Sequence, residues 1–188
     1  PDLRFHTPNG LQPRGIDRET ALLMKKTGFT TIQLSFESAN SRRQKEMGYK
    51  VNNFDLAEAV NNLSAAGFNR SDLSAYLLMG LPGQPAAEVI ESIRYVFSLG
   101  IRVSLAAYSP IPGTPLYNET VERGGVARDM DPLLTNNSCP EVINTALSFS
   151  TRQKIKHLVK KGNGSITRGE NPLADPTITR ICNTTLYE

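Results

Sequence analysis

The chain has 188 residues, 39% apolar and 21% charged, with a formal net charge of +3 and two cysteines, Cys139 and Cys182. This balance suits one globular unit with its own core. It excludes a disulfide framework, a four-cysteine metal site and, for want of a long apolar run, a membrane-spanning helix. Lysines and arginines are scattered without interleaved aromatics, so nucleic acid is not expected as a partner. No charged-then-apolar leader opens the chain, and a reducing cytoplasm is the plain expectation for its location.

In chain order, Leu3–Thr7 reads as a short strand ending in HTPNG (6–10). Asp17 can cap a first helix with Leu22 and Leu23 facing inward and Lys25 and Lys26 at its negative end. Gly28 then marks the helix exit, since glycine reaches positive φ without strain. Thr31–Glu37 is the second strand, followed by ESANS (37–41). Asn52 or Asn53 caps a second long helix with Leu56, Val60 and Leu63 on one stripe, closed by Gly67. Leu73–Met79 is the third strand, ending in GLPGQP (80–85). Pro85 suits the first turn of a helix whose Val89, Ile93, Val96 and Phe97 form one apolar face, closed by Gly100. Val103–Tyr108 is the fourth strand, ending in YSPIPGTP (108–115).

Four strands separated by helices predict an α/β fold with a parallel sheet, because strand–helix–strand crossovers give parallel neighbours. A closed eight-fold barrel takes about 250 residues, so the length allows an open sheet or an arc of a barrel. In both, ligands sit where strands pass into their following loops. All four such loops here are rich in Pro, Gly or short polar residues, and prolines through Pro110–Pro115 stop any strand or helix. Beyond them, Tyr117–Gly124 reads as a short helix, DPLLTNNSCP as a loop, Ser150–Lys161 as a polar helix ending at Gly162 with His157 on its surface, and 163–188 as an irregular tail.

No nucleophile elbow, HExxH, GxGxxG or phosphate loop is present. Glu37 stands out at a strand end, with Ser35 on the same face and Ser38 beside it. Its carboxylate could accept paired hydroxyl hydrogens from a ribose or meet an amine. It could equally cap the next helix or pair with Arg42 or Arg43.

Taken in order, FHTPNGLQPR, IQLSFESANSRRQKEMGYKV, AYLLMGLPGQP, AAYSPIPGTPLY and DPLLTNNS resemble the radical S-adenosylmethionine (SAM) superfamily, and within it the members with an upstream cobalamin-binding domain. The resemblance runs over about 1–138 and implies the C-terminal half, strands three to six, of a (β/α)6 partial barrel. The expected organisation is a partial barrel over 1–116, a helical and looped extension over 117–162 covering its mouth, and the tail. In that family a 4Fe–4S cluster on three cysteines binds SAM for reductive cleavage. This chain has no such triplet and opens on Pro1 within a strand, so the resemblance implies a fragment, inactive alone and binding none of these cofactors. Its partner would be the missing half of the barrel, or a second copy paired at the open edge.

Residue by residue, the resemblance assigns Ser35 and Glu37 to the SAM ribose, Gly80, Leu81 and Pro82 to the adenosine, and Tyr108, Ser109, Pro110 and Ile111 to the adenine edge. His6 and Asn9 would meet substrate or the methionine carboxylate. Lys50 would stand in for a basic SAM contact, because Tyr49 occupies the position where relatives carry the first of two basic residues. Two other readings remain open: a barrel enzyme gripping a phosphorylated small molecule, and a binding module without catalysis.

Overall fold

A computed structural model describes residues 3–135 and 147–183. Its framework is a four-stranded sheet of β1 (Phe5–His6), β2 (Phe29–Glu37), β3 (Leu73–Met79) and β4 (Arg102–Ala107). The strands lie in sequence order and every pair is parallel. The helices are α1 (Arg18–Lys26), α2 (Ser41–Glu46), α3 (Asn53–Ala65), α4 (Ala86–Ser98), α5 (Pro115–Glu122), α6 (Phe149–Thr167) and α7 (Pro176–Asn183). This is the expected half-barrel. The first strand is shorter than the sequence suggests, but Leu11 resumes pairing beside Leu34, its N–H donating to Gln33 O at 2.7 Å and its carbonyl accepting from Ser35 N–H at 2.8 Å.

Local signals place the elements. The Asp17 carboxylate caps α1 by accepting Thr20 N–H at 2.8 Å, which holds its pKa below the usual carboxylate value. Asn52 and Asp55 form a reciprocal capping box at α3. The helix exits at Gly28, Gly67 and Gly100 have φ of 94°, 91° and 70°. Along the strands, Ile32, Leu34 and Phe36, then Leu73, Ala75, Leu77 and Met79, are buried beneath the helices. Gln33, Ser35, Ser74, Tyr76, Arg102 and Ser104 alternate with them onto the other face. The α3 stripe and the α4 face are buried as expected.

Three expectations are corrected. Leu22 and Leu23 do not face inward: they are 50% and 54% exposed, whereas Ala21 and Met24 are buried. Ala21 and Met24 are one turn apart and settle on β2 and α3, which swings the two intervening leucines off that arc. Second, the helix does not end at Gly162. It continues to Thr167, because the absence of a side chain lets α6 press on Phe97; a Cβ on Gly162 would fall 2.3 Å from the ring. Packing of that kind outweighs the roughly 1 kcal/mol that glycine costs a helix.

Third, the stretch after residue 163 is not irregular where it is described. Asn171–Asp175 makes a tight turn into α7, where Ile178 is fully buried and Lys161 pairs with Asp175 at 2.9 Å. Helix α6 packs on β4, on α4 and on the Arg70–Asp72 turn that feeds β3. From there Asn163 brackets Val103: its Oδ1 accepts the Val103 N–H at 2.9 Å and its Nδ2 donates to the Val103 carbonyl at 2.8 Å. One side-chain amide thus takes the place of a neighbouring strand on the outer edge of β4. Residues 136–146, including Cys139, lie outside the described residues.

Candidate functional site

Because all four strands are parallel, the loops 7–12, 37–40, 80–85 and 108–114 leave the sheet at one end and share a rim. Each is held by its own hydrogen bonds. In the first, Thr7 Oγ1 accepts Gln33 N–H at 2.8 Å and the Tyr76 hydroxyl reaches across β2 to Pro8 O at 2.7 Å. Gly10 sits so close to β2 that a Cβ would meet Ser35 Oγ at 2.3 Å. Ser35 is therefore screened on that side. The His6 ring lies against the hydroxyls of Thr30 and Thr31, at 3.2 and 3.0 Å, and is exposed, as is Asn9.

Glu37 has φ of +75°, and Ser38 N–H donates back to Phe36 O at 2.9 Å, a γ-turn at positive φ. For a residue with a side chain this conformation is strained by about 1–3 kcal/mol and persists only where its surroundings enforce it. Neither structural alternative for the carboxylate holds. Asn40 caps α2, accepting Arg43 N–H at 3.1 Å. Arg42 pairs with Glu46 at 2.8 Å, and Arg43 grips Glu88 through Nε and Nη2 at 3.1 and 3.2 Å. Among the described residues the Glu37 carboxylate has no hydrogen-bond or ionic partner.

The third loop is folded around the Gln84 side chain, which is buried. Its Oε1 accepts the N–H groups of Gly80 and Leu81 at 2.8 and 3.2 Å, while its Nε2 donates to Leu78 O and Glu88 Oε1, both at 3.2 Å. In the fourth, Tyr108 N–H extends the β3 pairing to Met79 O at 2.9 Å. The Tyr108 hydroxyl turns away onto α5, donating to Leu116 O at 3.2 Å and touching Thr120 Oγ1 at 3.0 Å. Burial raises its pKa, against a smaller lowering by Thr120. Along this loop Pro110 is buried, Ile111 is exposed, and Thr114 borders the larger of the cavities below.

Two adjoining cavities open here, of about 1170 and 210 Å³. Glu37, Met47 and Lys50 line both; Leu81 and Pro82 bound the larger and Ser35 the smaller. The structure thus brings together Ser35, Glu37, Lys50, Leu81 and Pro82. Gly80 is buried in the arch behind them, and Tyr108, Ser109, Pro110, Ile111, His6 and Asn9 stand outside the two cavities. Sequence reasoning missed the side chains that brace the rim, namely Arg43, Gln84, Glu88 and Ser92. For three of them the signal was present in the spacing of four from Gln84 through Glu88 to Ser92, beside the apolar stripe of α4.

Burial works against the Arg43 charge, but the hydrogen bonds and charge of Glu88, then Glu46, hold its pKa above the usual value. The hydrogen bond from Arg42 holds the Glu46 carboxyl below its own. A thiolate-held cluster finds no fit among the described residues. Cys182, on α7, is half-buried with its pKa raised by burial, and no group of three metal-ligating side chains occurs among the described residues. What the lining does offer is the Glu37 carboxylate together with the apolar surface of Leu81 and Pro82.

The architecture is that of an α/β half-barrel whose site would be built on the carboxyl ends of its parallel strands. Residues 4–96 match the family model described as the radical SAM superfamily. Among solved structures, coproporphyrinogen III oxidase (HemN) from Escherichia coli, described as a radical SAM enzyme, superposes with a TM-score of 0.55 at 15% identity. The match covers 80% of this chain and 31% of that one. The radical SAM methyltransferase TsrM from Kitasatospora setae, with cobalamin and a [4Fe–4S] cluster bound, gives 0.54 at 20% identity, covering 66% of this chain and 23% of that one. TsrM with tryptophan and the SAM analogue aza-SAM aligns equally well. At these identities the likeness is one of fold, and the chain spans under a third of either protein. No curated protein sequence matched the chain. No described helix is long and apolar enough to cross a membrane.

Proposed function

We propose that this chain supplies the nucleoside-facing strands of a cytoplasmic radical SAM enzyme, with Glu37 accepting the ribose hydroxyls and Leu81 and Pro82 packing along the adenosine. The observation that carries this reading is the Glu37 carboxylate, without a partner among the described residues, held on a strained γ-turn at the rim and bordering both cavities. Lys50, which lines both, would meet the carboxylate of the methionyl end, and Ser35, which lines the smaller cavity, would join Glu37 at the ribose. Backbone from Tyr108 to Ile111 would complete the adenine edge, with Gly80 shaping the arch, and His6 and Asn9 would lie on the substrate side.

The reductive cleavage of SAM, or methyl transfer through cobalamin, would be supplied by a cluster or a cobalamin bound outside the described residues; this chain's share would be binding and orientation. The exposed outer edge of β1, with Leu3 and Phe5 at 65% and 42% exposure, is where the rest of the barrel or a second copy would pair. The β4 edge is already part-occupied by Asn163.

The test uses S-adenosylhomocysteine, which shares the nucleoside and cannot be cleaved reductively in the same way. Glu37→Gln weakens its binding by about tenfold, the size of one charge-assisted hydrogen bond lost. Glu37→Gly weakens it as much and also raises the melting temperature, since glycine relieves about 1 kcal/mol of backbone strain. Unchanged affinity in both variants contradicts the assignment.

A further inference from the structure

Helix α4 has a second seam beside its apolar face. Gln84, just ahead of the helix, then Glu88 and Ser92, are 1%, 9% and 2% exposed. Three polar side chains withdrawn from water need partners, and here the partners come from both sides of the cavity. Toward the exit of β2, Ser92 Oγ accepts Ala39 N–H at 2.9 Å and the Ser38 hydroxyl donates to Glu88 Oε1 at 3.2 Å. Toward the exit of β3, Gln84 binds the Gly80 and Leu81 N–H groups and donates to the same Glu88 oxygen. Arg43 closes the third side, with Nε on Oε1 and Nη2 on Oε2. Four donor groups therefore converge on one carboxylate.

Ser38 follows Glu37 directly in the chain, and Gln84 shapes the arch that carries Leu81 and Pro82. We infer that Glu88 is a positioning residue, fixing the Glu37 turn and the Gly80–Pro82 arch at a set separation and so setting the width of the cavity between them. It acts through Ser38 and Gln84, its own oxygens being consumed by protein donors. A carboxylate is required because only acceptors suit this convergence. A glutamine of the same shape would turn its NH2 either toward Arg43 Nη2 or toward Arg43 Nε, Ser38 and Gln84, so that at least one donor would then face a donor.

This inference rests on reading the cavity as a nucleoside pocket only for its ligand arm. In the full chain, Glu88→Gln is compared with wild type by amide hydrogen exchange and by S-adenosylhomocysteine affinity. Exchange at Ala39, Gly80 and Leu81 should quicken together by about tenfold, with Ala75 inside β3 unchanged, as expected for a local opening. Affinity should fall by about tenfold with Glu37 intact. Ser92→Ala, which keeps the ion pair, should quicken Ala39 and leave Gly80 alone. Equal acceleration throughout the chain, or unchanged exchange at Gly80 in Glu88→Gln, overturns the positioning role. So does a Gly80 response to Ser92→Ala equal to that of Ala39. Should wild type fail to bind S-adenosylhomocysteine, the nucleoside reading falls, while the exchange data still decide whether Glu88 couples the two loops.

Discussion

Arg43→Ala is expected to lower the unfolding free energy by about 3 kcal/mol, measured by urea denaturation. Arg43 and Glu88 have side chains only 15% and 9% exposed. Removing the guanidinium leaves Glu88 Oε2 buried without its donor, and the penalty is that of an uncompensated charge rather than of one lost contact. The neighbouring arginine supplies the control. Arg42 also pairs with an acid, Glu46, but is 89% exposed, so Arg42→Ala should change stability by under about 0.5 kcal/mol and less still in high salt. Similar effects from the two substitutions would mean that Glu88 is not buried against Arg43 as described.

Gly162→Ala comes second, with an expected loss of about 1–3 kcal/mol where the ordinary helical rule predicts a gain. The added Cβ would sit 2.3 and 2.4 Å from Cζ and Cε2 of Phe97, a ring that is 1% exposed and packed by the core. Neither the ring nor the α6 backbone can withdraw without disturbing α4 and β4. Gly164 lies two residues on in the same helix and meets only the end of the Arg168 side chain, at 3.4 Å. Gly164→Ala should therefore stabilise by about 0.5–1 kcal/mol. Opposite signs at 162 and 164 in thermal melts support α6 as an outer wall of the half-barrel; a gain at both would place it away from Phe97.

The parallel sheet and its rim were legible because they depend on local signals. Strand periodicity, the glycine exits at 28, 67 and 100, and the caps at Asp17 and Asn52 need no knowledge of neighbours far along the chain. The α1 face was misread because Leu22 and Leu23 are the larger apolar residues, yet the small Ala21 is what allows close approach to α3. The course of α6 through Gly162 was hidden for a related reason. Glycine there looks like a stop until Phe97, 65 positions earlier, is known to occupy the space.

At the site, Glu37 could be picked out at the end of a strand, but whether it was free could not. Arg42 and Arg43 were the plausible partners in sequence, and only the fold brings Glu88, on a helix beyond β3, close enough to take Arg43. The bracing seam of Gln84, Glu88 and Ser92 was visible as a spacing without a meaning, since a polar fourth residue on a helix is more often at the surface.

The most direct measurement is an S-adenosylhomocysteine titration of the isotopically labelled full chain, followed by backbone amide chemical shifts. The account predicts saturable shifts gathered at 37–40, 80–83 and 108–111, with Gly28, Gly67 and Gly100 at the other end of the sheet unmoved. Shifts centred on those three glycines, or none at the rim at saturating nucleoside, would contradict it.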